Sequence, residues 1–340
     1  MSIFSFLQKE IAIDLGTANT IIIHNNKIVV DEPSIIAIDR ETNNIIAVGK
    51  KALMMHGKTH DNIKTIRPLR DGVIADFRST EYMIREMIKM ISPKKSLFPP
   101  SLKMVICIPS GITEVEERAV RDSAEQAGAK EVRLIHEPMA AAIGIGIDVL
   151  EPNGNMIIDI GGGTSEIAII ALGGIISNRS IRIAGDDFTN DIIEHMRKQH
   201  NVLIGERSAE QVKIEVGAAM EDIENPPKEY AVHGRDLLTG IPKEILVNYT
   251  EIVKALDKSI TKIESAIIQA LENTPPELAA DIYKTGIYLA GGGAMIRGLD
   301  KRISIKTKLP VYLAEDPLHT VARGTGIALL NFDKFTFLIK

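Results

Sequence analysis

Cysteine occurs once in the 340 residues, at Cys107 inside the apolar run Met104-Val-Ile-Cys-Ile108. A lone thiol excludes an intramolecular disulfide framework, and these neighbours make it a small core residue. No run of ~18 apolar residues is present, so no bilayer-spanning helix is expected. The N-terminus lacks the charged start, long apolar stretch and cleavage site of a signal peptide, and the expected compartment is the cytoplasm. Positive charge is not in excess: 40 Lys and Arg against 45 Asp and Glu give a net charge of −5, which argues against a nucleic-acid partner held by bulk charge. The eight histidines are scattered without ligand spacing, and no transition-metal site is expected from them. Low-complexity linkers are also missing, which predicts interleaved lobes rather than domains strung in series. The length and an apolar content of 45% suit two α/β lobes and exceed one ordinary core.

What the chain does have is a repeated glycine grammar. Met156-Ile-Ile-Asp-Ile-Gly-Gly-Gly-Thr-Ser-Glu-Ile-Ala-Ile-Ile170 reads as strand, glycine turn, strand, with Asp159 at the end of the first strand. Glycines at 161–163 let backbone N–H groups approach an anion closely, and a polyphosphate is the natural guest. Alone, such a triplet is equally a plain turn. Ile11-Ala-Ile-Asp-Leu-Gly-Thr-Ala-Asn-Thr-Ile-Ile-Ile23 repeats the pattern, with Asp14 and Gly16 in the matching places. A third cluster, Gly286-Ile-Tyr-Leu-Ala-Gly-Gly-Gly-Ala-Met-Ile-Arg-Gly298, follows a strand and is expected to open a helix whose N-terminus suits an anion or ribose.

Two strand-turn-strand loops and one adenosine-type loop, in this order, resemble the actin, Hsp70 and sugar kinase superfamily. Within it the chain resembles the MreB family of bacterial actin-like proteins, nearly end to end. The resemblance is carried by Asp14 to Thr20, Glu32-Pro-Ser34, Ile66-Arg-Pro68, Asp71 to Asp76, Glu137 to Gly144, Asp159 to Thr164, Ile183 to Asp186 and Gly205-Glu-Arg207. It implies an α/β, actin-like (ribonuclease H-like) two-lobed ATPase fold with four subdomains. Subdomain IA would comprise residues 1–33, 75–143 and 316–340, IB 34–74, IIA 144–180 and 247–315, and IIB 181–246.

Read in order, residues 1–9 put Ile3, Phe4 and Leu7 on one helical face, either as a membrane-lying helix or as a lead into the first strand. Lys27 to Val48 reads as a small sheet. Ser79 to Ile91 is a helix whose methionines fill a core, ended by Pro93. A capping box at Thr113 and Glu116 opens the helix Glu114–Ala127, closed by Gly128. A strand over Val132–Ile135 delivers Glu137, and Pro138 starts a small-residue helix that the resemblance places at the hinge. Ile181–Ala184 reads as a strand, Asp187–His200 as a helix, and Ser208 with Gln211 as the cap of another helix. Thr250 to about Glu272 is a long amphipathic helix. The apolar tail from Asn331 either pads the first lobe or touches membrane.

For the site, the resemblance implies ATP and Mg²⁺. Asp14 and Asp159 would hold the metal through its waters. Gly16, Thr17, Ala18 and Asn19 would line one side of the phosphates, and Gly161, Gly162, Gly163 and Thr164 the other. Gly291, Gly292, Gly293, Ala294 and Met295 would receive the adenosine end. Glu210 and Lys213 either face the nucleoside or form a surface ion pair. Glu137, with Thr164 as second anchor, would orient the attacking water. His136 departs from the pattern, since many relatives carry an acidic residue before that Glu.

Lys94-Lys-Ser-Leu-Phe-Pro-Pro-Ser101 is an unusual loop, because Leu97 and Phe98 stand among lysines. In MreB-like proteins a hydrophobic pair here enters the inner leaflet; otherwise both side chains tuck into their own lobe. Burial yields at most ~2–3 kcal/mol for each, and each lysine adds ~1 kcal/mol at an anionic surface. Stable attachment therefore needs linked subunits. The expected function is a cytoskeletal ATPase that polymerises, pairs as antiparallel double protofilaments, attaches peripherally to the inner face of the cell membrane and organises cell shape. The alternatives are a small-molecule kinase, for which no sugar-pocket motif is seen, and an Hsp70-type switch, for which too few residues follow Gly326.

Overall fold

The computed structural model describes residues 8–91 and 101–339. Two five-stranded sheets are built to one plan. In the first, Gln8–Leu15 pairs antiparallel with Asn19–His24, which pairs antiparallel with Lys27–Pro33. On its other side Gln8–Leu15 runs parallel to Ser101–Ile108, which runs parallel to Ala129–His136. The second sheet repeats this order. Asn155–Ile160, Ser165–Ala171 and Gly174–Ile181 form the meander, and Ile287–Ala290 and Val311–Leu313 add in parallel. Parallel neighbours require crossovers, and helices supply them. Glu114–Gln126, for example, joins the two parallel strands of the first sheet. Every residue of Asn155–Ile160 and Ser165–Ala171 is buried, as expected for Ile-rich strands covered on both faces.

Each sheet carries a small three-stranded companion. One is Ile36–Asp39, Ile45–Val48 and Ile63–Ile66; the other is Val202–Leu203, Tyr230–Asp236 and Pro242–Val247. Lys27–Pro33 thus belongs to the first large sheet rather than to the small one. The strand expected over Ile181–Ala184 ends at Ile181. Beyond it the Gly185 and Asp186 N–H groups donate to the Gly161 and Gly162 carbonyls, at 3.1 and 2.8 Å, which draws the chain toward the glycine turn.

Between the large sheets lie two helices, Glu137–Ile145 and Thr320–Leu330. Their apolar residues share one core with Ala12, Ile21 and Val105 of the first sheet and with Ile157, Ala168 and Ala290 of the second. They cross almost without side chains at the contact. A Cβ on Gly144 would lie 2.0 Å from the Thr320 carbonyl oxygen, and one on Gly324 1.7 Å from that of Ala140. The C-terminal tail pads the first sheet: Ile339 and Leu134 exchange backbone hydrogen bonds of 2.9 Å, and Phe332 and Leu338 are buried.

The capping box of Glu114–Gln126 forms as read, with the Thr113 N–H donating to Glu116 Oε2 at 2.7 Å. Ser208, in contrast, lies inside the helix Glu206–Val216, whose N-cap is Gly205. The long helix is Tyr249–Glu272, opened by a box between Asn248 and Glu251. No described helix is long and apolar enough to cross a membrane. Leu97 and Phe98 lie outside the described residues, as do residues 1–7.

Candidate functional site

The glycine turns of the two sheets meet. Gly16 to Ala18 connects the first two strands of one sheet, and Gly161 to Thr164 the corresponding strands of the other. A Cβ on Gly162 would lie 2.7 Å from the Ala18 Cβ, and one on Gly163 2.9 Å from Thr17 Oγ1. Only glycine allows the turns to approach so closely. Ser34 fixes the first turn by donating its N–H to the Ala18 carbonyl at 2.9 Å and its hydroxyl to the Gly16 carbonyl at 2.6 Å. The Glu32-Pro-Ser34 motif is thereby a support for that turn.

Asp14 and Asp159 occupy equivalent places at the ends of their strands. Cys107, in register beside Asp14, donates its thiol hydrogen to Asp14 Oδ1 at 3.1 Å. Burial raises the Asp14 pKa to about 6 against the thiol's opposing effect, and the thiol is itself pushed up by burial and by the Asp14 charge. Asp159 is buried, and its Oδ1 has no hydrogen-bond partner. Burial first, then the charges of Asp14 and Glu166, raise its pKa to about 8. Glu137 sits at the first position of the hinge helix Glu137–Ile145, where the dipole favours a carboxylate. Burial and the charges of Glu166, Asp159 and Asp14 prevail, and its pKa lies well above the ordinary range.

These shifts show that the carboxylates of both sheets feel one another. Among the described residues, however, Asp14, Asp159 and Glu137 do not form a trio with all ligand atoms within 4.8 Å of one another. Mg²⁺ is a hard cation that keeps much of its water shell. The donor set fits that ion: hard oxygens, one of them buried and unpaired.

The third glycine cluster also arrives here. Gly291, at φ +84°, passes so close to Asp159 that a Cβ would lie 2.4 Å from Oδ1. The expected helix opening is instead the short 3₁₀ turn Gly292–Met295, and the following α-helix starts only at Leu299. Ala294 is buried and Met295 exposed. Glu210 and Lys213 pair at 2.7 Å, with Lys213 nearly buried. Lys213 donates to the Gly185 carbonyl at 2.8 Å and to Thr189 Oγ1 at 3.1 Å, which places it beside the Gly161 turn rather than on the open surface. Thr164 is buried, next to Gly72. His136 lines a separate cavity of about 340 Å³ with Ile135, Met139, Asn178 and Phe337, and burial lowers its pKa.

Three contributors escaped the sequence reading. Gly72 of the Leu69–Ile74 hairpin donates its N–H to Thr17 Oγ1 at 3.0 Å. Glu166, fully buried, accepts from the Ser110 N–H of the other half at 3.1 Å, from the Ser110 hydroxyl and from the Ser180 hydroxyl. At the opposite rim Glu206 bonds Arg67 and, at 3.1 Å, His56 Nε2. The Asp71-Gly72 and Gly205-Glu206 motifs were visible, but nothing local gave their partners.

Two ribonuclease H-like sheets, joined by a helix pair, with the glycine turns of both meeting beside Asp14 and Asp159, make this an actin-like fold. The family model described as MreB/Mbl protein matches residues 8–336, and the chain belongs to that family. The cell shape-determining protein Mbl of Bacillus subtilis (strain 168) is 45% identical over 327 residues, covering 96% of this chain and 97% of the relative. The cell shape-determining protein MreB of Escherichia coli (strain K12) is 47% identical over 329 residues, covering 95% and 94%. The crystal structure of MreB 5 of Spiroplasma citri bound to AMPPNP superposes with a TM-score of 0.90 at 39% identity, covering 96% of this chain and 97% of that one.

Proposed function

We propose that this protein binds and hydrolyses ATP and polymerises into membrane-attached filaments that organise cell shape. The observation that carries the reading is the contact of Gly162 and Gly163 with Ala18 and Thr17 over Asp14, Asp159 and Glu137. The related MreB 5 is described with AMPPNP and with ADP, and the curated relatives are named for cell shape. Backbone N–H groups of the two turns cradle the phosphates, and the Gly291–Met295 turn takes the adenosine end. Asp14 and Asp159 would hold Mg²⁺, which when bound would neutralise phosphate charge. Glu137, anchored at the helix start, orients the attacking water together with Thr164. Lys213 and Glu210 line the nucleoside side. The subdomain limits follow the sequence reading.

Filaments are read as antiparallel double protofilaments, so that the Leu97–Phe98 loops of both strands reach one anionic membrane surface. Every relative named above is a cell-shape or MreB protein, and the kinase alternative has no such support.

The test is Glu137→Ala in a purified-protein phosphate assay. Nucleotide affinity is expected to stay within about threefold while phosphate release slows ~100-fold or more. Unchanged turnover would refute the role of Glu137.

A further inference from the structure

The histidines read as scattered along the sequence, yet His195 and His200, four residues between them, meet in space. His195 and His200 lie on the last turns of the helix Gly185–His200, and both turn their Nε2 atoms to one oxygen, Glu251 Oε2, at 3.1 and 2.7 Å. Glu251 belongs to a different element, the first turn of Tyr249–Glu272. The three ligand atoms lie within 4.8 Å of one another, and among the described residues no other group of three or more His, Cys, Asp or Glu does so. All three side chains are largely but not wholly covered, at 13%, 24% and 19% exposure, so an ion could enter from solvent.

We propose that His195, His200 and Glu251 form a divalent transition-metal site, of zinc type, that clamps these two helices together. Two imidazoles and one carboxylate are the donor set that Zn²⁺ accepts with a fourth position left for water. Each ring would hold the ion through Nε2 and keep its hydrogen on Nδ1. Tetrahedral ligands around Zn²⁺ stand roughly 3.4 Å apart at metal–ligand distances of about 2.0–2.2 Å, so against Glu251 Oε2 the His195 Nε2 would retreat by about 0.3 Å from 3.1 Å and the His200 Nε2 by about 0.7 Å from 2.7 Å.

The carboxylate is already oriented. Its other oxygen, Oε1, accepts the Asn248 N–H at 2.9 Å, and the Glu251 N–H returns to Asn248 Oδ1 at 3.0 Å. This is the support a metal-binding carboxylate commonly receives. The C-terminal end of the His-bearing helix adds the negative end of its dipole, which favours a cation there. Nothing in this arrangement belongs to the phosphate turns. Gly185, whose N–H contacts Gly161, is at the other end of the same helix, about 15 Å from His195 and about 22 Å from His200 at 1.5 Å per residue.

Tag-free, full-length protein stripped with a chelator and titrated calorimetrically with Zn²⁺, in excess Mg²⁺, tests the proposal. One Zn²⁺ per chain is expected at micromolar concentration. His195→Gln and His200→Gln should each weaken binding at least about tenfold, and the double substitution should abolish it. Circular dichroism of the variants checks that the fold is retained. Co²⁺ added to the unaltered chain should give the intense visible bands of a four-coordinate ion. Absence of Zn²⁺ binding, equal binding by the double variant, or a Co²⁺ spectrum of the weak six-coordinate kind would each overturn the site and leave a hydrogen-bonded His–Glu–His contact in its place.

Discussion

Asp159 is a carboxyl group whose Oδ1 is buried and unpaired and whose pKa stands at about 8, with Asp14 nearby at about 6, both against 3.8 in an unfolded chain. The folded, nucleotide-free protein therefore binds more protons than the unfolded chain above about pH 4. The associated stability is fully present below about pH 4 and is lost as pH rises through about 6 and about 8. The melting temperature of chelated, nucleotide-free protein should fall between pH 6 and pH 8, by the equivalent of about 2 kcal/mol. Asp159→Asn should flatten that slope, and a wild-type curve that is level or rising over the interval contradicts the account. At this scale the sequence was a good guide where the signal is local. Asp14 and Asp159 each end a strand before a glycine turn, a pattern visible in seven residues. Glu166 was opaque because its partners Ser110 and Ser180 are 56 and 14 positions away and only the sheets bring them together.

Among the described glycines, those at the crossing of Glu137–Ile145 and Thr320–Leu330 leave the least room for a Cβ. Gly324→Ala would force a methyl group into the Ala140 carbonyl 1.7 Å away, with the hinge helix buried on both sides. A loss of more than ~3 kcal/mol, or failure to accumulate as folded protein, is expected in denaturant unfolding. Gly174→Ala, where the nearest atom is an ordinary 3.7 Å contact, should change stability by no more than ~0.5 kcal/mol. Equal behaviour of the two variants would contradict this packing. Helices with strong periodicity and caps, such as Glu114–Gln126 and Tyr249–Glu272, were legible within a residue or two. The strand end at Ile181 and the 3₁₀ turn at Gly292–Met295 were not. Both are set by tertiary contacts, Gly185 and Asp186 to the Gly161 and Gly162 carbonyls and Gly291 to Asp159, which override local preference.

For the whole molecule, length and apolar content pointed to two lobes, and the repeated glycine pattern in the sequence became a repeat in sheet order. The membrane attachment proposed above would act at this scale as well. If one subunit contributed Leu97, Phe98 and a few lysines, binding should depend on assembly. Replacing Leu97 and Phe98 by Ser should abolish co-sedimentation with anionic vesicles in the presence of ATP while leaving pelleting of the polymer itself unchanged. Retained vesicle binding would move the anchor elsewhere in the chain.

Glu206 reaches Arg67 and His56 from the other half of the molecule, apart from the helix pair that joins the two large sheets. Under the proposed nucleotide binding, changes in these three side chains are expected to alter how long the guest stays more than they alter the packing of the helix pair. Residence of the guest and integrity of the scaffold would then rest on separate groups, and evolution could retune one without unpicking the other.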